Sequence, residues 1–113
     1  MSSSLERMVG LLDLFTPDAP VWSSEDLIGH LGVPVSTGYR YIKVLQRSGL
    51  LARVANGSYV IGPRVLELDR TSRLCDPVYD AGSPVIRRLT QETGFSSLLS
   101  VLYSDSVMCV QQE

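Results

Sequence analysis

The sequence predicts a mainly α fold with a small β component: three short helices, a β-hairpin, a linker helix and an α+β segment. Three observations lead to this prediction. Apolar residues recur at helical spacing in the first half of the chain, an Asn-Gly pair separates two short strand-like runs, and a helical pattern is followed by strand patterns near the C-terminus. The length of 113 residues allows one ordinary domain, or one small domain plus a piece of another.

The first two helices are indicated by apolar spacing and by capping residues. In the first helix, Ser4 is the predicted N-cap and the inward-facing residues are Leu5, Met8, Val9, Leu12 and Phe15. The second helix begins after Ser23, which with Asp26 resembles a capping box. It ends at Gly32, because the residue before Pro34 is biased away from helical backbone.

A third helix is predicted over about residues 35–48, since Gly49 stands where a left-handed residue is expected after a helix. A tight turn therefore joins the second and third helices, which is the helix-turn-helix pattern. Two strand-like runs follow over about residues 51–61. Asn56 and Gly57 between them favour a type I′ turn, in which both central residues have positive φ. Three helices and then a hairpin is the order of a winged helix-turn-helix.

The linker helix is predicted to begin at Pro63, which suits the first turn of a helix. A further helical pattern contains Pro84, so this helix either kinks there or restarts with Ser83 as its N-cap. It is followed by a strand over residues 95–103 and a returning strand over residues 107–110.

The predicted organisation is a winged helix-turn-helix domain at residues 1–62, a linker helix at 63–76 and a last segment at 77–113. One helix and one hairpin are too little to build an independent core. We therefore expect residues 77–113 to be the truncated start of a larger domain, with an open strand edge that downstream sequence or a second chain covers.

Composition excludes several classes of protein. The chain has no apolar run of membrane-spanning length and no signal-peptide pattern, so a cytoplasmic location is expected. Its two cysteines, Cys75 and Cys109, and its single histidine, His30, allow neither a disulfide framework nor a zinc site of the usual spacing. We expect no metal, no cofactor and no catalytic residues, and hence no enzyme.

The formal net charge of −2 is unevenly distributed along the chain. Residues 27–66 contain five basic residues and no acid, which gives this window +5 and leaves −7 for the rest. On a helical wheel, Arg40, Lys43 and Arg47 form one stripe of the third helix, opposite its apolar residues. A solvated helix face usually mixes charges, because opposite charges one turn apart stabilise a helix. A purely basic stripe suits a polyanion.

The sequence therefore predicts a DNA-binding surface made of the third helix in the major groove and the hairpin on the flanking groove or backbone. Arg40 is placed to reach a guanine edge, while Lys43 and Arg47 are placed to meet phosphates. The candidate DNA-binding residues are Ser36, Thr37, Tyr39, Arg40, Lys43, Arg47, Arg53, Asn56 and Gly57.

Structural interpretations compete at some of these positions. Ser36 and Thr37 could bind a phosphate or simply cap the helix. Tyr39 could pack on a sugar or phosphate, or lie at the rim of the site. Gly38 either packs closely against the second helix or lets the third helix approach the duplex, and Asn56-Gly57 could serve the turn alone.

Several segments resemble the N-terminal domain of IclR-type bacterial transcriptional regulators. They are Leu5-Glu6-Arg7, residues 22–27, residues 32–40, residues 47–51 and, most specifically, residues 59–68 with Gly62-Pro63-Arg64 opening the linker helix. The end of the chain is similar to the start of the effector-binding domain of that family. The resemblance implies a homodimer, or a tetramer at full length, on a palindromic operator. It also implies a small-molecule effector, bound by residues downstream that are unknown here.

The alternative is a winged-helix module that binds proteins and never touches DNA. Such modules often carry acids on the third helix or a large exposed apolar face. The third helix here is predicted to have neither, so the sequence favours DNA.

Overall fold

The computed structural model describes residues 3–113, so the first two residues of the predicted domain 1–62 lie outside the described residues. The chain divides into two compact units, with the division between Leu68 and Asp69. The helices are α1 (Ser4–Gly10), α2 (Ser24–Leu31), α3 (Val35–Arg47), α4 (Arg64–Cys75) and α5 (Pro77–Thr93). The strands are β1 (Trp22–Ser23), β2 (Leu51–Val54), β3 (Ser58–Ile61), β4 (Leu98–Tyr103) and β5 (Ser106–Gln112).

The first helix differs in detail from the prediction. Its N-cap is Ser3 rather than Ser4: the Oγ of Ser3 accepts a hydrogen bond of 3.1 Å from the N–H of Glu6. After Gly10 the chain tightens into a 3-10 helix over Leu11–Leu14. Leu11 is buried, whereas the predicted inward residues Leu5 and Val9 are 69% and 57% exposed. The prediction for these two residues is wrong, since Leu11 is the core residue of this segment and Met8 is the residue of α1 that packs against the core.

The caps of α2 and α3 confirm the predicted helix boundaries. The Oγ of Ser23 accepts a hydrogen bond of 3.1 Å from the N–H of Asp26, and Gly32 ends α2 with φ +65°. At the end of α3, Gly49 has φ +81°. The N–H of Gly49 bonds to the carbonyl of Gln46, and the N–H of Leu50 bonds to the carbonyl of Leu45, each at 3.0 Å. This is the Schellman arrangement, and it turns the chain from α3 into the wing.

One apolar core holds the first unit together. Its buried members are Leu11, Leu27, Ile28, Tyr41, Ile42, Leu45, Leu51 and Tyr59. Burial of each large aliphatic side chain contributes about 1.5–3 kcal/mol. Because α3 buries Tyr41, Ile42 and Leu45, its opposite face is left at the surface.

The wing is a three-stranded antiparallel sheet in the order β1-β3-β2. The short strand β1 pairs Trp22 with Tyr59 and is not foreseen from the sequence. The hairpin loop encloses three residues, since Val54 pairs with Ser58, so the predicted two-residue turn is wrong. The expected positive φ is confirmed at Asn56 (64°) and Gly57 (68°).

The second unit contains the end of α4, helix α5 and a two-stranded sheet of β4 and β5. Asp76 caps α5 by accepting a hydrogen bond of 2.9 Å from the N–H of Val78. The helix is continuous through Pro84 with Ser83 buried inside it, so the restart at Ser83 is excluded. The first strand begins at Leu98 rather than at residue 95, and the second extends to Gln112.

Arg73 connects the secondary-structure elements of the second unit. Its Nε donates to both carboxylate oxygens of Asp69 at 3.0–3.1 Å, and its Nη1 donates to the carbonyl of Val110 at 2.7 Å. The guanidinium also lies 5.5 Å from the centre of the Tyr79 ring. Hydrogen bonds to Asp69 and Tyr79 raise the pKa of Arg73 above its ordinary value.

Across residues 3–113, no helix combines the length and the apolar character needed to cross a membrane.

Candidate nucleic-acid interface

The exposed face of α3 carries the three basic residues of the predicted stripe. Arg40, Lys43 and Arg47 are all exposed, and they are spaced one turn apart along the helix. The buried face on the other side anchors the helix to the core. The stripe is therefore held on a rigid element that presents it to solvent.

The basic side chains of this surface have no partners within residues 3–113. Arg40, Lys43, Arg47 and the wing residue Arg53 form neither an ion pair nor a hydrogen bond in the described part of the chain. Four of the five arginines of α4 and α5 are paired within the described residues, among them Arg64 with Glu67 at 2.6 Å, Arg73 with Asp69 at 3.0 Å and Arg88 with Glu92 at 2.8 Å. The positive charge of α3 and the wing thus remains available to an anion.

The start of α3 has free backbone donors. Its N-cap is Pro34, which has no capping side chain, and the N–H of Gly38 donates to the carbonyl of Pro34 at 3.0 Å. The N–H groups before Gly38 point out of the helix end without intrahelical acceptors. The hydroxyls of Ser36 and Thr37 do not cap the helix, so the N-capping interpretation of these two residues is wrong. Both lie in the first turn of α3, with Ser36 exposed and Thr37 half-buried.

Gly38 is buried against α2. A Cβ built on Gly38 would lie 2.6 Å from Cγ1 and 3.0 Å from Cγ2 of Ile28. The structure therefore supports the interpretation in which this glycine permits close packing of the two helices.

Tyr39 lies at the edge of the stripe and is 47% exposed. Its hydroxyl is 3.5 Å from the Oγ of Ser24 in the first turn of α2. Sequence reasoning did not single out Ser24, because its nearness to Tyr39 depends on how the two helices cross. Its only signal in the sequence is its place beside the capping residue Ser23.

The wing contributes the remaining predicted residues. Arg53 is exposed on β2 and pairs in register with Tyr59, while Asn56 is exposed at the tip and Gly57 beside it is half-buried. The backbone of Asn56 and Gly57 is fixed by the hairpin loop, since both adopt positive φ. The structure thus places all nine predicted residues in two elements of the first unit, α3 and the wing.

Comparison with known proteins identifies this unit. Residues 4–55 match the family model of the IclR helix-turn-helix domain. The chain carries an IclR helix-turn-helix domain. The resemblance noted in the sequence is confirmed, and the family is one of transcriptional regulators.

Solved structures extend the likeness beyond the IclR domain. An IclR family transcriptional regulator from Brucella abortus superposes with a TM-score of 0.80 at 20% identity, over 100% of this chain and 43% of its own. A putative IclR transcriptional regulator from Silicibacter sp. superposes with a TM-score of 0.78 at 27% identity, over 98% of this chain and 44% of its own. An IclR homologue from Microbacterium hydrocarbonoxydans, complexed with 4-hydroxybenzoate, superposes with a TM-score of 0.71 at 24% identity, over 98% of this chain and 46% of its own. No curated protein shows a significant match to the chain.

These likenesses establish the fold of the chain. The winged helix-turn-helix, the linker helix and the α+β segment all have counterparts in the solved regulators, which confirms the predicted fold class. The chain spans less than half the length of each of the three.

Proposed function

We propose that this IclR-type chain is a sequence-specific DNA-binding transcriptional regulator, with α3 as the recognition helix in the major groove. The observation that carries the proposal is the stripe of Arg40, Lys43 and Arg47, exposed on one face of α3 and unpaired within residues 3–113. Neutralising phosphates with such side chains supplies most of the non-specific affinity for DNA.

Each residue of the interface has a proposed role. Arg40, one turn into α3, reads a guanine edge, which an arginine can contact with two hydrogen bonds. Lys43 and Arg47 bind phosphates, and Ser36 and Thr37 add hydroxyls to the backbone N–H groups at the start of the helix. Tyr39 packs on the sugar-phosphate backbone. Arg53, Asn56 and Gly57 place the wing on the flanking groove or backbone.

The partners follow from this assignment. We propose a homodimer, or a tetramer at full length, on a palindromic or pseudo-palindromic operator, because a two-fold protein reads two half-sites. Residues 1–62 form the DNA-binding domain, 63–76 the linker helix and 77–113 the first part of an effector-binding domain. The 4-hydroxybenzoate complexed with the Microbacterium homologue supports a small-molecule effector as a further partner. A role on bacterial DNA places the protein in the cytoplasm.

A salt titration tests the proposal. We expect the chain to bind duplex DNA at low salt, with an affinity that falls steeply and linearly on a log-log plot as salt increases. The triple variant Arg40→Ala, Lys43→Ala, Arg47→Ala should abolish this binding, while Arg88→Ala, at an exposed position of α5, should retain it. Absence of wild-type binding even at low salt would favour the protein-binding alternative and overturn the proposal.

A further inference from the structure

A backbone joint connects the end of α3 to the start of α4. The carbonyl of Gly49 accepts a hydrogen bond of 3.0 Å from the N–H of Arg64, and the carbonyl of Leu50 accepts one of 2.9 Å from the N–H of Gly62. The two acceptors belong to the residues that terminate α3, and the two donors belong to the residues that open α4. Because all four groups are main-chain atoms, the two helix ends have no side-chain rotamers between them.

The joint leaves no room for a side chain at Gly62. A Cβ at this position would collide with the carbonyl oxygen of Gly49 and would lie 2.9 Å from the carbonyl carbon of Leu51. On the other side of the joint, Gly49 has φ +81°, and a Cβ there would lie 3.0 Å from the Cβ of Arg64. Glycine at both positions is therefore what permits the close approach.

The start of α4 exposes apolar side chains. Val65, Leu66 and Leu68 are 37%, 72% and 46% exposed, and no residue of α4 is buried. Val65 and Leu68 lie one turn apart on the same face of the helix, and this exposed apolar pair suits contact with a second copy of the chain. If two copies pair there, the joint transmits the geometry of that pairing directly to α3.

We propose that Gly62 and the backbone N–H of Arg64 are positioning residues for DNA recognition, and that they set the half-site spacing that the dimer accepts. This inference rests on the proposed DNA-binding homodimer. Each base pair added between half-sites moves one of them by about 3.4 Å and rotates it by about 35° about the duplex axis. A changed direction between α4 and α3 should therefore appear as a changed spacing preference.

Two substitutions at one position isolate the hydrogen bond. Arg64→Pro removes the N–H that Gly49 accepts and puts a ring carbon in its place, while proline remains compatible with the first residue of α4. Arg64→Ala is the matched control, because it also loses the ion pair with Glu67 but keeps the N–H. The half-site sequence is first selected from random duplexes with the wild-type chain. Each full chain is then titrated against a series of palindromes of this half-site, in which the separation of the two half-sites increases by one base pair at a time. Binding to one isolated half-site is measured alongside.

Wild type and Arg64→Ala should prefer the same separation. For Arg64→Pro, the affinity ratio between that separation and its neighbours should fall by about fivefold, or the optimum should move, while half-site affinity changes less than twofold. If both variants prefer the same separation, or if the wild type binds palindromes without preferring any separation, the proposed role of the joint in half-site spacing is overturned. The proposal of DNA binding stands in both cases. A wild type that binds no duplex overturns both proposals. If Arg64→Pro does not fold, hydrogen exchange of the backbone amides is measured in the wild-type chain instead. Amides of Gly62 and Arg64 that exchange as slowly as that of Tyr59 support the joint. Amides that both exchange as fast as that of Asn56 refute it.

Discussion

Gly38 of α3 lies directly against Ile28 of α2, at a distance that would leave only 2.6 Å between an added Cβ and the Cγ1 of that isoleucine. Both residues are buried in the first unit. The contact brings the backbone of the recognition helix close to the preceding helix, so it fixes the depth at which α3 sits in the domain. A glycine that lowers helix propensity is thus accounted for by packing.

Gly38→Ala should lower the free energy of unfolding, although alanine is the better helix former. Overpacking against Ile28 costs about 1–3 kcal/mol, while the gain in helix propensity is about 1 kcal/mol. Urea denaturation measures the difference. Combining the change with Ile28→Ala should relieve the clash, so the double variant should be more stable than the two single effects predict. A Gly38→Ala protein more stable than wild type would contradict the packing role.

Arg40→Ala should relax base preference at one position of each half-site. Loss of the bidentate contact with guanine should cost about 1–3 kcal/mol on the preferred duplex and much less on duplexes substituted at that position. Competition binding with single-base-pair variants of the site measures the difference. Arg88→Ala, which removes the same charge from an exposed position on α5, is the control and should leave the preference unchanged. Equal weakening on every duplex would reassign Arg40 to a phosphate.

Lys43→Ala should weaken binding to all duplexes to a similar extent. A phosphate contact carries no sequence information, and its loss should reduce the slope of log affinity against log salt by about 1. The slope is obtained by titration at several salt concentrations. Lys43→Arg preserves the charge and should preserve the slope, whereas an unchanged slope in the alanine variant would remove Lys43 from the interface.

Asn56 tests the wing through two substitutions that separate its backbone from its side chain. With φ at 64°, alanine at this position should destabilise the domain by about 1–2 kcal/mol, whereas glycine adopts the conformation freely. Thermal unfolding checks this order. Asn56→Gly then reports on DNA alone: reduced affinity assigns the side chain to the interface, and unchanged affinity limits Asn56 to the turn.

Local chemistry explains which parts of the fold are predictable from the sequence. Ser23, Gly32 and Gly49 end their helices as expected, because caps depend on a few neighbouring residues. The 3-10 helix that buries Leu11 and the pairing of Trp22 with Tyr59 are not predictable in this way. The first depends on how a short helix meets the core, and the second joins residues far apart in the chain.

The same distinction applies to the candidate site. The stripe of Arg40, Lys43 and Arg47 follows from helical periodicity, and the sequence also shows that no acid lies one turn away from it on α3. The nearness of Ser24 to Tyr39 and the joint between Gly49 and Gly62 involve pairs of elements. The residue pattern of one helix or strand does not specify how far that element lies from another, so these contacts could not be predicted.

The unpaired state of the basic stripe also determines what a salt titration counts. Where a binding cation is already held by a carboxylate, association exchanges one ion pair for another, and the carboxylate recovers a counterion from solution. Arg40, Lys43 and Arg47 have no such carboxylate to release within residues 3–113. Counterions displaced from the duplex are then not offset by counterions taken up by the protein surface. The salt dependence of this domain should therefore report directly the number of phosphates that it contacts.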